Sequence, residues 1–366
     1  MELKINHRVK NGVVNVLYFN DFEVNLVFDS IASTFGFDFF FNAYNREQAE
    51  IACVSHFHEC TLIHEGETLI SGFLLSQSFP LSSQKEYAKF GGYSKTGVLE
   101  DSNIPPDLYP LQTDGLSLAE IAKKLTARFK IKVIVDPLVQ SDMAKVIPKT
   151  TAEPTQTIKD YLTELAKQRQ IIITHNEFGD LLFTKAKTEL KPIIDFTDGV
   201  IGTNITLNFN GQGIHSHITV LKQSSSGGGN AGEYTIRNPY CPVAYVYRPK
   251  VVTQTSGDDI TTEKTAKQEL AAELKNITLS ITTDRWKVDG QIIRPNNTIS
   301  VYSPENFIYK KTIFFIESVR LKGDSKSTTA ELTCVLPEVY NGKEPKNIFV
   351  DSHDNYPRIK TPKQNE

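Results

Sequence analysis

Short runs of β-branched and aromatic residues, which favour strands, recur through the first hundred positions. They lie at Val13–Phe19, Phe22–Phe28, Thr68–Leu75 and Gln84–Tyr93. A glycine within His64–Glu67 predicts a turn that joins Thr68–Leu75 to a strand ending at Leu62–Ile63. Ser30–Phe35 has helical character, so one short helix is expected among these strands.

A helix–strand pattern then occurs twice, with the same offset between its parts. Each copy opens with a helix-capping motif, Ser117–Glu120 in the first and Thr157–Asp160 in the second. The apolar positions recur at helical spacing, at Leu118, Ile121, Ala122, Leu125 and Phe129, and at Ile158, Tyr161, Leu162 and Leu165. Strands are predicted at Ile131–Val135, Ile171–Thr174 and Leu181–Thr184. The repeat therefore predicts a small α/β module.

From about residue 187 the pattern favours strands again, with one helix. The predicted strands are Ile193–Phe196, Asn204–Phe209, His215–Leu221, Tyr245–Val252, Thr278–Thr283, Thr298–Tyr302, Thr312–Leu321 and Thr329–Leu336. The helix is predicted from the spacing of Ala266, Leu270, Leu274 and Ile277. Ser224–Gly232 is expected to be a flexible loop because of its serine and glycine content.

These patterns divide the chain into four segments. Prolines at 105, 106 and 110 mark the first boundary. We predict a first β domain at 1–112, an α/β module at 113–186, a second β domain at 187–340 and an extended arm at 341–366. The fold class is therefore mainly β with an α/β insert, and the two β domains are expected to be similar.

Composition narrows the class of protein. Of the 366 residues, 39% are hydrophobic and 23% charged, which is typical of a folded globular chain. The net charge of −3 and the absence of a basic cluster disfavour nucleic-acid binding. Four scattered cysteines fit no disulfide framework, so we expect assembly in a reducing cytoplasm. Neither a signal peptide nor a membrane span is predicted.

The candidates for metal ligation are His56, His58 and Cys60, which stand between Cys53 and His64. Sulfur and imidazole at short spacing can bind zinc. If this stretch is an extended strand, His56, His58 and Cys60 share one face and Cys53 points to the other. Because no tight knuckle pairs the ligands, we favour an ordinary strand face and predict neither a metal nor a cofactor.

The pair His215 and His217 has the same spacing and could bind a metal on a threefold axis, where three chains supply six nitrogens, but we favour an ordinary strand here too. The sequence carries no nucleophile elbow, phosphate-binding loop or zinc-protease helix motif. The three glycines at 227–229 lack the lysine and helix of a phosphate loop. We therefore predict no catalytic residues and no enzyme activity, and we interpret Trp286 as a core or interface anchor.

The ordered set of turn and strand motifs resembles a known family. The most telling segment is Asp284–Tyr340, with Trp286, Asp289–Gly290, Pro295–Asn297, Val301–Pro304, Ile316–Val319 and Leu336–Pro337 in succession. Nearer the start, the resemblance is carried by Phe22–Phe35, Gly66–Phe73, Tyr93–Thr96 and Leu99–Asp101. The chain resembles the baseplate hub proteins of contractile-tailed phages, the group of the phage Mu hub and the late-control-D tail proteins.

The resemblance implies a structural virion protein of the tail baseplate. The expected fold is two similar tail-tube-like β-barrels that flank the α/β module. The expected assembly is a homotrimer whose six β domains form a pseudo-sixfold ring, which joins the hexameric tail tube, or distal tail proteins, to the trimeric spike. Expected partners are the spike and the tape measure protein, and DNA would pass through the ring without specific binding at genome ejection.

Three other functions are kept open. The chain could be the hub part of a type VI secretion spike or of another contractile injection system. It could be a tail-associated cell-wall hydrolase, although we find no catalytic constellation. It could also be a carbohydrate-binding β protein of the host-adhesion kind.

Overall fold

The computed structural model of the chain describes residues 2–7, 12–16, 20–80, 87–109, 112–113, 115–223, 230–254, 261–324 and 327–349. Strands make up 43% and helices 22% of the protein, and a large antiparallel sheet dominates it. The expected class, mainly β with an α/β insert, is confirmed.

The elements follow the chain in three stretches. The first contains β1 (Glu2–His7), β2 (Gly12–Val16), β3 (Asp21–Val27), β4 (Thr34–Phe39), α1 (Arg46–Ile51), β5 (Glu59–His64), β6 (Glu67–Ser78) and β7 (Ala88–Ser94). The second contains α2 (Val98–Asp101), α3 (Leu118–Thr126), β8 (Val133–Val135), α4 (Gln140–Ala144), α5 (Ile158–Lys167), β9 (Ile172–His175) and β10 (Leu181–Thr184). The third contains β11 (Asp195–Thr197), β12 (Thr203–Phe209), β13 (His217–Gln223), β14 (Asn230–Arg237), β15 (Pro249–Gln254), α6 (Thr262–Leu274), β16 (Ile277–Thr283), β17 (Lys287–Val288), β18 (Gln291–Ile292), β19 (Thr298–Ser303), β20 (Ile308–Asp324), β21 (Thr328–Val335) and α7 (Glu338–Asn341).

The chain forms two compact units, each built from three separate segments. Unit 1 comprises Met1–Ala186, Asp284–Pro295 and Glu317–Glu331. Unit 2 comprises Lys187–Thr283, Asn296–Ile316 and Leu332–Glu366. Unit 1 thus contains both the first predicted β segment and the α/β module. The predicted domain boundaries stay a prediction, because one compact unit can contain more than one domain.

Unit 1 is built on an antiparallel sheet. Its strands follow the order β3, β4, β7, β6, β5, β1 and β2. The sheet continues beyond β3, because residues 318–324 of β20 pair antiparallel with Asp21–Val27. Alternate residues of β4 are buried (Phe35, Phe37 and Phe39), and this side of the sheet forms an apolar core.

The α/β module in unit 1 repeats as its sequence predicts. Ser117 and Glu120 make both hydrogen bonds of a capping box, and the side chain of Thr157 accepts from the backbone N–H of Asp160. The predicted apolar faces of α3 and α5 are buried in one core. Lys130 and Gln170 follow the two helices with left-handed backbone angles, φ 56° and φ 55°. The repeat therefore extends to the way each helix ends.

Unit 2 contains two sheets. In the larger one, β12 pairs antiparallel with β16, and β19 pairs with both β11 and the first half of β20. The smaller one has the order β14, β13, β15. Helix α6 packs on this smaller sheet through Ala266 and Leu270, which meet Ile218, Val220 and Ile236 in a separate apolar core.

The helix expected at Ser30–Phe35 was a wrong prediction, because Thr34–Phe39 is a strand and residues 30–33 are not helical. The polar groups of this stretch have partners elsewhere in unit 1. Ser33 O accepts from Ser94 N at 2.8 Å, and Ser30 O accepts from the Thr174 hydroxyl at 3.2 Å. Bonds of this kind take the place of those within a helix.

Several other boundaries differ from the prediction. The strand expected at Tyr245–Val252 begins only at Pro249, and α1 was not predicted. Parts of four predicted elements lie outside the described residues: 17–19, 84–86, 224–229 and 350–366. Residues 230–232, expected in the flexible loop, begin strand β14.

A close packing of two glycines against one ring fixes the register of β6 and β7. A Cβ atom on Gly72 would lie 1.9 Å from the Tyr93 oxygen and 2.8 Å from the Phe35 ring. A Cβ atom on Gly92 would lie 1.9 Å from the Phe73 oxygen and 2.8 Å from the same ring. Only glycine fits at these two positions, because backbone atoms cannot give way as a flexible side chain does.

The hairpin of β5 and β6 is held by a segment distant in sequence, Asp284–Pro295, which we call the clasp. The Arg294 guanidinium donates to Thr68 O at 2.5 Å and to Leu69 O at 3.3 Å. Glu67 accepts from Ile292 N at 3.3 Å. These bonds anchor the clasp to the start of β6.

Trp286 closes the clasp over the hairpin turn. Its ring lies 4.9 Å from the His64 ring and 5.6 Å from the Phe22 ring, and the side chain is 5% exposed. Trp286 is therefore a core anchor. Neither the Nε1 atom of Trp286 nor the Nδ1 atom of His64 has a hydrogen-bond partner in the described part of the chain.

We predict that Gly72→Ala destabilises the protein by about 1–3 kcal/mol, the usual range for overpacking a filled site. The free energy of unfolding, measured by urea titration, checks this. Gly36→Ala is the matched control on the same sheet, because its Cβ would lie at an ordinary 3.5 Å from the Phe90 oxygen. We expect Gly36→Ala to change stability by less than about 1 kcal/mol. Equal effects of the two substitutions would contradict the packing argument.

We also predict that His64 makes the fold less stable in mild acid. Burial lowers the pKa of His64 below its ordinary value, against the opposing charge of Glu65. The unfolded chain, where a histidine pKa is about 6.5, then binds the proton more readily than the folded chain. Stability is therefore complete above about pH 6.5 and is lost as the pH falls from there toward the folded pKa.

The measurement is the urea midpoint of the natural chain and of His64→Phe between pH 7.5 and 5. We expect the midpoint of the natural chain to fall more steeply. His175, whose pKa is also lowered by burial, is present in both proteins and cancels in the comparison. Parallel pH profiles would show that His64 does not contribute.

Candidate interaction surfaces

Unit 2 carries a loop, residues 239–248, that exposes a run of large apolar side chains; we call it the tyrosine loop. Tyr245 is 83% exposed and Tyr247 is 69% exposed. Val243 and Val246 are exposed beside them. Exposed apolar side chains that lie together mark interaction sites on soluble proteins. The tyrosine loop is therefore the first candidate surface.

Both ends of the tyrosine loop are fixed at Ser216. Ser216 O accepts from Asn238 N at 3.0 Å, and the Ser216 hydroxyl accepts from Arg248 N at 3.0 Å. The Arg248 guanidinium donates to the carbonyl oxygens of Gly211 and Gln212. Within the loop, Pro242 O accepts from Tyr245 N at 2.9 Å. The exposed side chains therefore project from a backbone with defined ends.

A buried carboxylate lies beneath the base of this loop. Glu273 is 4% exposed and accepts from His215 N at 2.9 Å, from the His215 ring at 2.7 Å and from the Asn238 amide at 3.3 Å. Burial alone would lower the pKa of Lys250, but its hydrogen bond to Glu269 and the charge of Glu273 raise it overall. The buried charge is thus satisfied, as a stable structural node requires.

A pocket of about 390 Å³ opens beside the tyrosine loop within unit 2. Its walls are mostly apolar, and its lining includes Phe209, Ile214, Tyr240, Pro242, Tyr245 and Val246. A cavity of roughly 150 Å³ already holds a benzene ring, so this pocket has room for a large side chain. Cys241, a free thiol, also lines it.

A single isoleucine protrudes from unit 2 at the turn before β12. Ile201 is 98% exposed and stands between Gly199 and Gly202, whose φ angles are 77° and 76°. The glycines permit the tight turn, because left-handed angles cost them little. A fully exposed isoleucine gains nothing in the folded chain alone, so it is a second candidate contact.

Unit 1 exposes apolar side chains on both sides of α1. Tyr44 is 99% exposed, Val54 58% and Phe57 50%. Ser55 and Phe57 have φ angles of 69° and 45°, which non-glycine residues rarely adopt. Such backbone conformations collect at functional segments, so this stretch is a third candidate surface.

An aromatic stack lies on the sheet of unit 1. The rings of Phe39 and Phe90 stack at 4.9 Å, and those of Phe37 and Phe90 stack at 5.5 Å. Phe41 and Phe79 extend the stack, with rings 5.0 Å apart. Phe79 is 39% exposed, so the stack runs from the core to the surface.

Within the described residues, the metal-ligand candidates His56, His58 and Cys60 are not part of a group of three or more possible ligands. The assumed extended strand was wrong, because β5 begins only at Glu59 and the preceding residues include two left-handed conformations. The rings of His56 and His58 lie 5.2 Å apart at a steep angle. Cys60 is fully buried, and burial raises the pKa of its thiol, which disfavours the thiolate that a metal needs.

The rings of His215 and His217 have different partners. The His215 ring contacts Glu273, whereas the His217 ring bonds to the Ser216 hydroxyl at 3.0 Å and lies against Tyr247. No group of three or more His, Cys, Asp or Glu side chains in the described ranges is placed to hold a metal ion. None of the helices described has the length and apolar composition of a membrane span.

Sequence reasoning missed the tyrosine loop, because its valines and tyrosines read as a strand. The signal that could have found it is the set of prolines at 239, 242 and 249, which interrupt regular structure. The exposure of Tyr44 and Ile201 had no comparable signal, because an apolar residue in a turn looks the same whether its side chain is covered or not.

Comparisons with known proteins agree with this fold. Residues 96–185 match the family model described as baseplate hub protein gp44-like, second domain. None of the curated proteins matches the chain in sequence.

Solved structures that share the fold include the following three. The 43 kDa tail protein of prophage MuSo2 from Shewanella oneidensis has a TM-score of 0.76 at 19% identity, over 93% of this chain and 99% of that chain. The tail protein from Neisseria meningitidis MC58 has a TM-score of 0.73 at 20% identity, over 93% and 97%. The E. coli c3393 protein, a component of the type VI secretion system, has a TM-score of 0.54 at 11% identity, over 95% and 80%.

Sequence and structure thus confirm the resemblance to phage baseplate hub proteins: residues 96–185 match the second domain of the gp44-like hub family, and the chain has the fold of phage tail proteins.

Proposed function

We propose that the chain is the structural hub of a contractile phage tail baseplate and has no catalytic role. In this proposal three copies form a ring of six similar β domains. The ring joins the hexameric tail tube, or distal tail proteins, to the trimeric spike, contacts the tape measure protein and gives DNA a channel. The protein would assemble in the host cytoplasm and remain in the virion.

The observation that carries the proposal is the extent of the likeness. The fold is shared with the Shewanella tail protein over 93% of this chain and 99% of that one, and residues 96–185 match a hub domain by sequence as well. The two comparisons use different information: the structural likeness supports the fold of a tail protein, and the sequence match supports the hub group.

The surfaces support an assembling protein. Exposed apolar side chains stand on both units, at Tyr44, Ile201 and the tyrosine loop. Aromatic side chains of this kind are enriched at protein interfaces, where one ring supplies a large contact area.

A second candidate is the hub part of a type VI secretion spike, which the likeness to the E. coli c3393 protein favours. That likeness has the lower TM-score, 0.54 against 0.76. Co-purification with a phage tail spike protein or with a type VI secretion spike protein would separate the two candidates. Binding to the phage spike would favour the tail hub, and binding to the secretion spike would favour the second candidate. A peptidoglycan zymogram would test the hydrolase alternative, and we expect no clearing.

We predict that the hub is trimeric, either alone or with its spike. Light scattering of the hub–spike mixture should give three hub copies per complex, because a ring that matches a trimeric spike needs threefold symmetry. A complex with one hub copy would overturn the ring.

Ile201→Ser and Tyr44→Ser test whether the exposed residues contribute to assembly. We expect either substitution to weaken assembly and to leave the melting temperature of the isolated chain unchanged, since both side chains are almost fully exposed. The matched control is Ile299→Ser: its side chain is 0% exposed, so it should lower the melting temperature. If both surface variants assembled normally, neither Ile201 nor Tyr44 would contribute to the interface.

We further predict that the hub does not grip DNA. A channel wall of acidic residues repels phosphates and a neutral wall does not attract them, so either lets the duplex slide; the net charge of −3 is consistent with such a wall. The purified hub should not shift duplex DNA at about 50 mM salt, where non-specific binding is strong. Binding that disappears as salt rises would indicate a basic face and contradict the passive channel.

A further inference from the structure

The apolar pocket beside the tyrosine loop is not filled by the side chains that line it. Its aromatic walls include Phe209, which is 47% exposed, and Tyr245. The charge of Arg248 is directed at the carbonyl oxygens of Gly211 and Gln212. Covering this pocket with an apolar side chain would therefore remove ring surface from water at little polar cost.

The C-terminal part of the chain runs along the wall of this pocket. The Tyr240 hydroxyl donates to Lys346 O at 2.9 Å, and the Asn347 amide donates to Pro239 O at 3.0 Å. The Phe349 ring lies 5.9 Å from the Tyr240 ring and 6.2 Å from the Phe209 ring. Tyr240 and Phe209, which line the pocket, thus contact the last residues that the structure describes.

Seventeen residues follow Phe349, and they include apolar side chains at suitable reach. Tyr356 and Ile359 stand seven and ten residues beyond Phe349. At about 3.3–3.6 Å per extended residue, either can fold back to the pocket. Three acidic and three basic residues in 350–366 balance, so the segment meets no net repulsion. A tethered segment also has a high effective concentration at a neighbouring site.

We propose that the pocket binds the C-terminal segment 350–366 of the same chain, with Tyr356 or Ile359 inserted between Phe209 and Tyr245. The segment would cover the apolar wall of the tyrosine loop. This inference stands on the contacts of unit 2 and does not depend on the ring.

Cys241 provides a probe, because its thiol lines the pocket. In a Cys53→Ser background it is the accessible thiol, since Cys60 and Cys334 are 0% exposed. The experiment measures the rate at which a maleimide labels Cys241 in the full chain. We expect the double variant Tyr356→Asp, Ile359→Asp to label about tenfold faster or more, because it removes the inserted apolar side chain whichever of the two that is.

The matched control is the double variant Asn355→Asp, Thr361→Asp, which adds the same charge to polar positions and should label slowly. A synthetic peptide of residues 350–366 should restore saturable protection to the fast variant. Equal labelling of all three proteins would overturn the proposal. Protection that rises with protein concentration would also overturn it, because the occupant would then be the segment of a second copy.

Discussion

The pairing of β20 with β3 is the interaction on which unit 1 depends. Residues 318–324 hydrogen-bond with Asp21–Val27, although almost the whole chain separates them in sequence. Without this strand, β3 would be an open edge, and exposed edges invite pairing with other chains. The Arg320 guanidinium donates to Glu23 at 2.7 Å and so adds an ion pair along the same contact. The N-terminal β segment therefore cannot complete its sheet until the distant strand is present.

The hairpin of β5 and β6 depends on a distant segment in the same way, because the clasp packs on it. Arg294 and Trp286 arrive from the same late part of the sequence and close over β5 and β6. Contacts between distant residues carry a loop-closure cost that must be met before they stabilise the fold. The early β segment, the α/β module and two late segments thus form one compact unit. The module is attached to the sheet by bonds from Thr174 and His175 to Ser30 and Ser33.

In unit 2 a buried carboxylate, Glu273, helps to hold the base of the loop that exposes apolar side chains. The buried Glu273 carboxylate binds the His215 backbone, the His215 ring and the Asn238 side chain. These bonds hold His215 and Asn238 in place. The neighbouring Ser216 binds Asn238 and Arg248, at the two ends of the tyrosine loop. A loop held in this way can keep Tyr245 and Tyr247 in water without collapsing onto the core. Such preorganisation lowers the entropy lost when a partner binds.

The sequence by itself determined the mainly β class, the duplicated α/β module, helix α6 and the resemblance to hub proteins. These follow from local physics, because capping bonds, helical spacing and turn glycines act between residues close in sequence. It could not determine that residues 30–33 avoid a helix, since their partners Ser94 and Thr174 are supplied by other elements. It could not place the clasp, or separate the buried His58 from the exposed Tyr44, because burial depends on what the rest of the chain brings nearby. Tertiary structure alone decided which apolar side chains stay exposed.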